Sequence, residues 1–195
     1  MQSQDTDAAA KKTRSRRTLW LVLAVCAAPM IASYAAFYFW RPAGQVNYGE
    51  LLEPRPLAAR PLASIDGSPF LLADLKGEWV LLKAGPAACD EACRRSLVYM
   101  RQVRLAQGRE TGRIERVWLL TDAGAPDPAL VAEHPGLRIV RDGEVAAALP
   151  APRSASEHIY VVDPLGNLMM RFPPDPEPQR MLKDLSRLLR HSKWK

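Results

Sequence analysis

The stretch that decides the fold runs from Trp79-Val80-Leu81-Leu82-Lys83 through Gly85-Pro86 to Cys89 and Cys93, and on into Arg94 to Gln107. The first segment is apolar and strand-like, the Gly-Pro pair is turn-prone, and the last segment carries Cys93, Leu97, Met100 and, on a neighbouring flank, Val103 at helical spacing. Strand, turn, two cysteines, helix is an order that presents thiols at a helix N-terminus. There the free backbone N–H groups and the helix dipole favour thiolate over thiol. Cys89 and Cys93 stand at i and i+4. On a helical turn that places both sulfurs on one face, about 6 Å apart at Cα and within disulfide reach. The same geometry lets two soft thiolates converge on one Cu(I).

The chain has 195 residues and a formal charge of +6. Lys11, Lys12, Arg14, Arg16 and Arg17 against Asp5 and Asp7 give residues 1–17 a net 5 − 2 = +3, so 6 − 3 = +3 remains for everything else. That remainder shows no basic stripe with interleaved aromatics, which argues against nucleic-acid binding. Thr18 to Trp40 is an apolar run without a charge. As a helix its 23 residues span about 34 Å, enough to cross a hydrocarbon core. Trp20 sits near one end and Tyr34, Phe37, Tyr38, Phe39 and Trp40 crowd the other, as interfacial aromatics do. The basic cluster precedes the run, so the positive-inside tendency predicts a cytoplasmic N-terminus and everything after Trp40 outside a bacterial inner membrane, in the periplasm. The rival reading is a cleaved signal peptide ending near Ser33-Tyr34-Ala35, but the apolar run continues through that site. In the oxidising compartment beyond the membrane the two cysteines rest as a disulfide unless something reduces them. The third cysteine, Cys26, falls inside the anchor and reads as a small apolar residue.

Four parts are expected. Residues 1–17 form a basic cytoplasmic tail without structure, residues 18–40 a transmembrane helix, residues 41–61 a Pro-rich extended tether, and residues 62–195 the globular domain. Within the domain, Ile65-Asp66-Gly67-Ser68-Pro69-Phe70 suggests a short hairpin around Asp-Gly. Arg116 to Thr121 reads as a strand buried on both faces, Pro128 to Glu133 as a short helix capped by Asp127, and Leu137 to Val140 as a brief strand. Ile159 to Val162 and Leu168 to Phe172 are strands joined by the turn Asp163-Pro164-Leu165-Gly166-Asn167. Met181, Leu182, Leu185, Leu188 and Leu189 give the final helix its apolar face. The order β-α-β-α-β-β-α predicts an α/β thioredoxin-like domain behind one membrane helix.

Asp74-Leu75-Lys76-Gly77-Glu78-Trp79, the cysteine pair, Trp118-Leu119-Leu120-Thr121-Asp122 and Tyr160-Val161-Val162-Asp163-Pro164-Leu165-Gly166 together resemble the Sco/SenC proteins. Those are membrane-anchored thioredoxin-fold factors of cytochrome c oxidase assembly, and the resemblance covers about residues 62–190. It implies that Cys89 and Cys93, with a distant histidine, hold copper for the oxidase, or that the same thiols act as a reductant. The family usually has proline after each cysteine, where this chain has Asp90 and Arg94. The family's copper histidine falls at Ala155, and the histidine present, His158, lies three places later. Copper with Cys89, Cys93 and His158 as ligands is thus one expectation, and the partner is an oxidase subunit or another periplasmic thiol protein.

Two other readings stand beside it: a periplasmic thiol–disulfide oxidoreductase, and a docking protein that keeps the fold without chemistry. A purely structural disulfide is the plainest account of the pair, yet so short a loop gains little from closure. Asp90 and Glu91 disfavour thiolate while Arg94 and Arg95 favour it. Of Met169 and Met170, strand alternation lets only one face any site. His134 and His191 show no pattern beyond loop and tail. Nothing in the sequence forms a Ser/His/Asp arrangement, a phosphate loop or a zinc ligand quartet.

Overall fold

The structure, a computed structural model, describes residues 3–39, 47–57, 61–65 and 67–192. Two compact units divide it, residues 1–45 and residues 46–195.

The first unit is one helix, α1 (Ser3–Phe39). Trp20–Tyr38 within it, 19 residues, is long and apolar enough to cross a membrane. Trp40, expected to close the span, lies outside the described residues. The tail was expected to lack structure, yet residues 3–17 continue the helix. Alanine, lysine and arginine are strong helix formers, so a helix nucleated in the apolar run extends through them at little cost.

The second unit is built on one sheet of eight strands: β1 (Glu50–Pro56), β2 (Leu62–Ser64), β3 (Pro69–Phe70), β4 (Trp79–Gly85), β5 (Ile114–Leu120), β6 (Leu137–Arg141), β7 (Ile159–Val162) and β8 (Asn167–Arg171). Their order is β1-β8-β7-β4-β5-β6-β2-β3. β4, β5 and β6 run parallel, and the remaining pairs are antiparallel. Parallel neighbours need crossovers, which α2 (Glu91–Leu105) and α3 (Pro128–Glu133) supply. α4 (Gly143–Ala147) follows β6, and α5 (Pro178–His191) closes the chain's described part.

Both faces of the sheet are covered, so β4 and β5 read as near-continuous apolar runs rather than alternating ones. Leu81, Trp118, Ile159 and Val161 pack with Leu97 and Met100 of α2 and Leu185 of α5 on one face. Leu82, Leu119, Tyr160 and Val162 pack with Leu72, Leu75 and Val145 on the other. The amphipathic face foreseen on α5 is buried as expected, with Met181 and Leu185 wholly enclosed. The short hairpin is present as β2 and β3, with Gly67 at φ +81°, a conformation that suits glycine; Asp66 lies outside the described residues.

One boundary moves. Of the tether expected over residues 41–61, residues 41–46 and 58–60 lie outside the described residues, but Glu50–Pro56 is a sheet strand paired with β8. Pro54 and Pro56 hid it: proline cannot donate to a ladder and is confined to sheet edges, and β1 is an edge. The entry to this strand is fixed by α5. The buried Asp184 carboxylate accepts from the backbone N–H of Tyr48 at 2.7 Å and of Gly49 at 2.9 Å. A Cβ at Gly49 would meet Met170 Sδ at 2.6 Å, so any larger residue here would have to displace that buried side chain.

Candidate functional site

Cys89 and Cys93 form a disulfide, their Cα atoms 5.3 Å apart. The loop between β4 and α2 positions them. α2 begins at Glu91, three residues earlier than expected, because Asp90 is its N-cap and its carboxylate accepts from the Cys93 backbone N–H at 2.8 Å. Cys93 therefore occupies the first turn of the helix, and Cys89 the residue ahead of the cap. The loop is also held from the neighbouring strand: Asp122 Oδ1, just past β5, accepts from Ala87 N–H at 3.1 Å, and Thr121 N–H donates to the Gly85 carbonyl at 3.1 Å.

The two sulfur-bearing residues differ in access. Cys93 is 7% exposed and packs in the core under α2, whereas Cys89 is half-buried at the edge of the same cluster. The charges weighed in the sequence have settled into pairs. Arg95 bonds Glu91 at 2.9 Å and approaches Asp175 at 3.6 Å, and Arg94 meets Asp127 at 3.4 Å.

A cavity of about 410 Å³ opens beside the pair, lined among others by Lys83, Pro86, Asp90, Cys93, Ser156 and Glu157. Lys83 is the residue the sequence reading passed over. Alternation along β4 puts it on the face of Trp79 and Leu81, beneath α2. It is only 2% exposed, and its ammonium donates to the Ser156 carbonyl. Burial lowers its pKa to about 8, against the opposing pull of Asp90 and Glu157. The signal was present in the sequence: a lysine interrupts an otherwise apolar, doubly covered strand six residues before Cys89.

His158 lies elsewhere. It precedes β7 at the end of a short 3₁₀ turn, Ala155–Glu157, and its ring meets Tyr160 edge-on at 6.2 Å. Tyr160 belongs to the sheet face opposite α2. His158 Nδ1 lies 2.8 Å from the Phe172 carbonyl oxygen, which makes Nδ1 the protonated nitrogen. Burial lowers the imidazole pKa, partly offset by that hydrogen bond. His158 does not line the cavity that Cys93 lines. Among the described residues no three His, Cys, Asp or Glu side chains gather as a metal would require. The structure brings Cys89 and Cys93 together and does not bring His158 to them. Met170 is buried in the core and Met169 half-buried, both packed against the cluster on the α2 face.

The family model described as a transmembrane-like, thioredoxin-like C-terminal domain matches residues 79–192, more than half of the chain. The chain belongs to that family. The matched segment starts with β4, includes both cysteines, and ends just past α5. No curated protein matches the chain in sequence.

Solved structures match its fold. The apo Sco protein of Thermus thermophilus is 20% identical, with TM-score 0.58, over 75% of this chain and 99% of that one. Yeast Sco with copper bound is 16% identical, with TM-score 0.56, over 76% of this chain and 96% of that one. The thioredoxin domain of a thiol–disulfide oxidoreductase from Bacteroides vulgatus is 19% identical, with TM-score 0.52, over 71% and 99%. The chain thus has a Sco-like thioredoxin fold, preceded by one helix of membrane-spanning length.

Proposed function

We propose that this protein is a membrane-tethered thiol–disulfide exchange factor of the Sco type, working through Cys89 and Cys93. One observation carries the reading: a disulfide at a capped helix N-terminus, with one sulfur-bearing residue half-exposed and the other buried beside a cavity. In the reducing direction the Cys89 thiolate attacks one sulfur of a partner's disulfide, breaking it and releasing one partner thiolate, which takes a proton. The Cys93 thiolate then attacks Cys89 Sγ, closing the pair and releasing the second partner thiolate, which takes the second proton. Two electrons pass to the partner, and a second dithiol protein returns them by the reverse exchange.

The partner in this reading is a protein thiol pair held near the membrane outside the cytoplasm, such as the copper-site cysteines of a cytochrome c oxidase subunit. The basic cluster ahead of Trp20–Tyr38 supports the orientation, with the domain in the periplasm of an inner membrane.

A second reading is favoured by the likeness to copper-bound yeast Sco: the reduced pair holds one Cu(I) between two thiolates. In this reading the two thiolates are the ligands, since His158 is not among the residues that line the cavity of Cys93.

The test of the main reading uses the full chain in detergent, with a Cys26→Ser background so that only the pair is titrated. The pair should interconvert reversibly between thiol and disulfide across glutathione buffers, read by alkylation and mass. A pair that stays oxidised at every glutathione ratio ends the exchange reading. Stoichiometric Cu(I) retention that vanishes in the Cys89→Ser, Cys93→Ser double variant would support the second reading.

A further inference from the structure

We propose that Lys83 is a positioning charge for the cysteine pair: its ammonium, in the cavity that Cys93 also lines, stabilises the reduced pair and sets its reduction potential. The inference rests on the exchange reading above and adds to it a residue outside the cysteine motif.

The location comes from the strand. β4 points Lys83 toward α2, and Lys83 and Cys93 line one cavity. The surroundings leave its charge available. Lys83 is 2% exposed and donates to a neutral group, the Ser156 carbonyl. Three carboxylates face the same cavity: Asp90 ahead of α2, Glu157 in the 3₁₀ turn and Asp175 after β8. Each has another engagement. Asp90 caps α2, Glu157 lies 3.7 Å from Arg153, and Asp175 lies 3.6 Å from Arg95. Among the described residues the buried ammonium therefore has no contact carboxylate, and the negative charge that the chemistry can create in its cavity is the thiolate of a reduced Cys93.

A buried lysine without a contact carboxylate is costly even with Asp90 and Glu157 drawing on its charge, and its structural use is small, since one hydrogen bond to a carbonyl needs no charge. It does what helix N–H groups do for a thiolate, from the opposite side. Stabilising thiolate stabilises the reduced state, so Lys83 raises the reduction potential and makes the pair a better oxidant.

The test compares the full chain, Lys83→Met and Lys83→Arg, all on the Cys26→Ser background in detergent with a copper chelator, in glutathione redox buffers. Lys83→Met should shift the equilibrium about tenfold toward the disulfide, the lower end for an opposite charge close by. At two electrons that is about 30 mV more reducing. Lys83→Arg keeps the charge and should stay within about threefold of the parent. A Lys83→Met equilibrium equal to the parent's, in a parent that exchanges normally, overturns the role of Lys83 and leaves the exchange reading intact. A parent that does not exchange overturns both. Should Lys83→Met fail to fold, by near-ultraviolet circular dichroism, Lys83→Gln decides in the same buffers: it also removes the charge and should shift the equilibrium toward the disulfide by a similar factor, and an equilibrium equal to the parent's overturns the proposal.

Discussion

Replacing Lys83 with methionine should stabilise the folded unit at neutral pH. The ammonium is buried and its pKa falls from 10.5 to about 8. A difference of about 2.5 units corresponds to about 3 kcal/mol spent keeping the charge inside the fold at pH 7. Against this, methionine loses the hydrogen bond from the ammonium to the Ser156 carbonyl, worth about 1.5 kcal/mol, although the open cavity lets water reach that oxygen. The net expectation is about 1–2 kcal/mol in favour of Lys83→Met. The pH dependence is the sharper signature. Between pH 8 and 10.5 the folded chain releases the Lys83 proton while the unfolded chain keeps it, so the native protein gains stability as pH rises through that window. Lys83→Met lacks that gain, so its advantage should shrink by about 3 kcal/mol and reverse by pH 10.5. Urea unfolding of the oxidised chain in detergent, followed by near-ultraviolet circular dichroism, measures both quantities. A Lys83→Met protein less stable than its parent at pH 7, or a difference that does not change from pH 7 to 10, would refute the reasoning.

Reducing the Cys89–Cys93 bond should lower stability by about 2 kcal/mol, the value for a loop of about five residues, and should leave the fold intact; unfolding midpoints with and without reductant measure it. Burial lowers the pKa of both His134 and His158, so from about pH 6.5 down to the lower folded values the unfolded chain binds protons more readily and stability falls as pH drops across that window. His134→Leu, which removes a buried ring with neither nitrogen partnered, should flatten part of that acid limb in urea midpoints taken from pH 7 to 5. Asp184→Ala deprives the Tyr48 and Gly49 N–H groups of their buried acceptor and should cost about 3 kcal/mol, with those two amides losing exchange protection first. Deleting residues 1–40 removes the apolar span Trp20–Tyr38 and should move the protein from carbonate-washed membranes to the soluble fraction; retention on membranes would contradict the anchor.

The elements that were legible in the sequence are those whose pattern is strong and local. β4, β5 and β7 are apolar runs, α5 has a regular apolar face, and Asp127 announces α3. What escaped depended on distant partners. β1 has an exposed, proline-bearing sequence and becomes a strand only because β8 offers an unpaired edge and Asp184 holds its entrance. α4 is five residues long, and its Asp142 cap is the main sign of it. At the site, the pair was legible because the spacing of two cysteines is itself a geometric statement. The neighbourhood of His158 and Tyr160 was legible by alternation, but that its ring bonds the Phe172 carbonyl and does not line the cavity of Cys93 depends on where the loop after β8 and the 3₁₀ turn settle. Lys83 was written in the chain as a charge inside an apolar strand, and only packing reveals that it is buried against a carbonyl with no carboxylate in contact among the described residues.

The fold spends little elsewhere to hold this site, which is why its cost is informative. The cap at Asp90, the Asp122 bond to Ala87 and the core packing of Cys93 all lower the energy of the folded chain while they fix the sulfurs. Lys83 works against stability, yet it sits where the sheet delivers a side chain to the cavity that Cys93 lines. The orphaned Trp118 and His134 nitrogens carry a desolvation penalty too, but neither residue lines the cavity beside the pair. A charge that destabilises the oxidised resting state and gains a partner only when the disulfide opens biases the pair toward accepting electrons. On that argument the oxidised form, with its half-exposed Cys89, is the poised form of the protein. Replacing Asp90 by alanine then separates the contributions. It should cost about 1 kcal/mol in stability through the lost cap, and it should also make the pair more oxidising, because one carboxylate that opposes the thiolates is gone. An Asp90→Ala chain with unchanged glutathione equilibrium but reduced stability would show that charge at the cavity does not reach the sulfurs, and would remove the electrostatic basis of the Lys83 assignment.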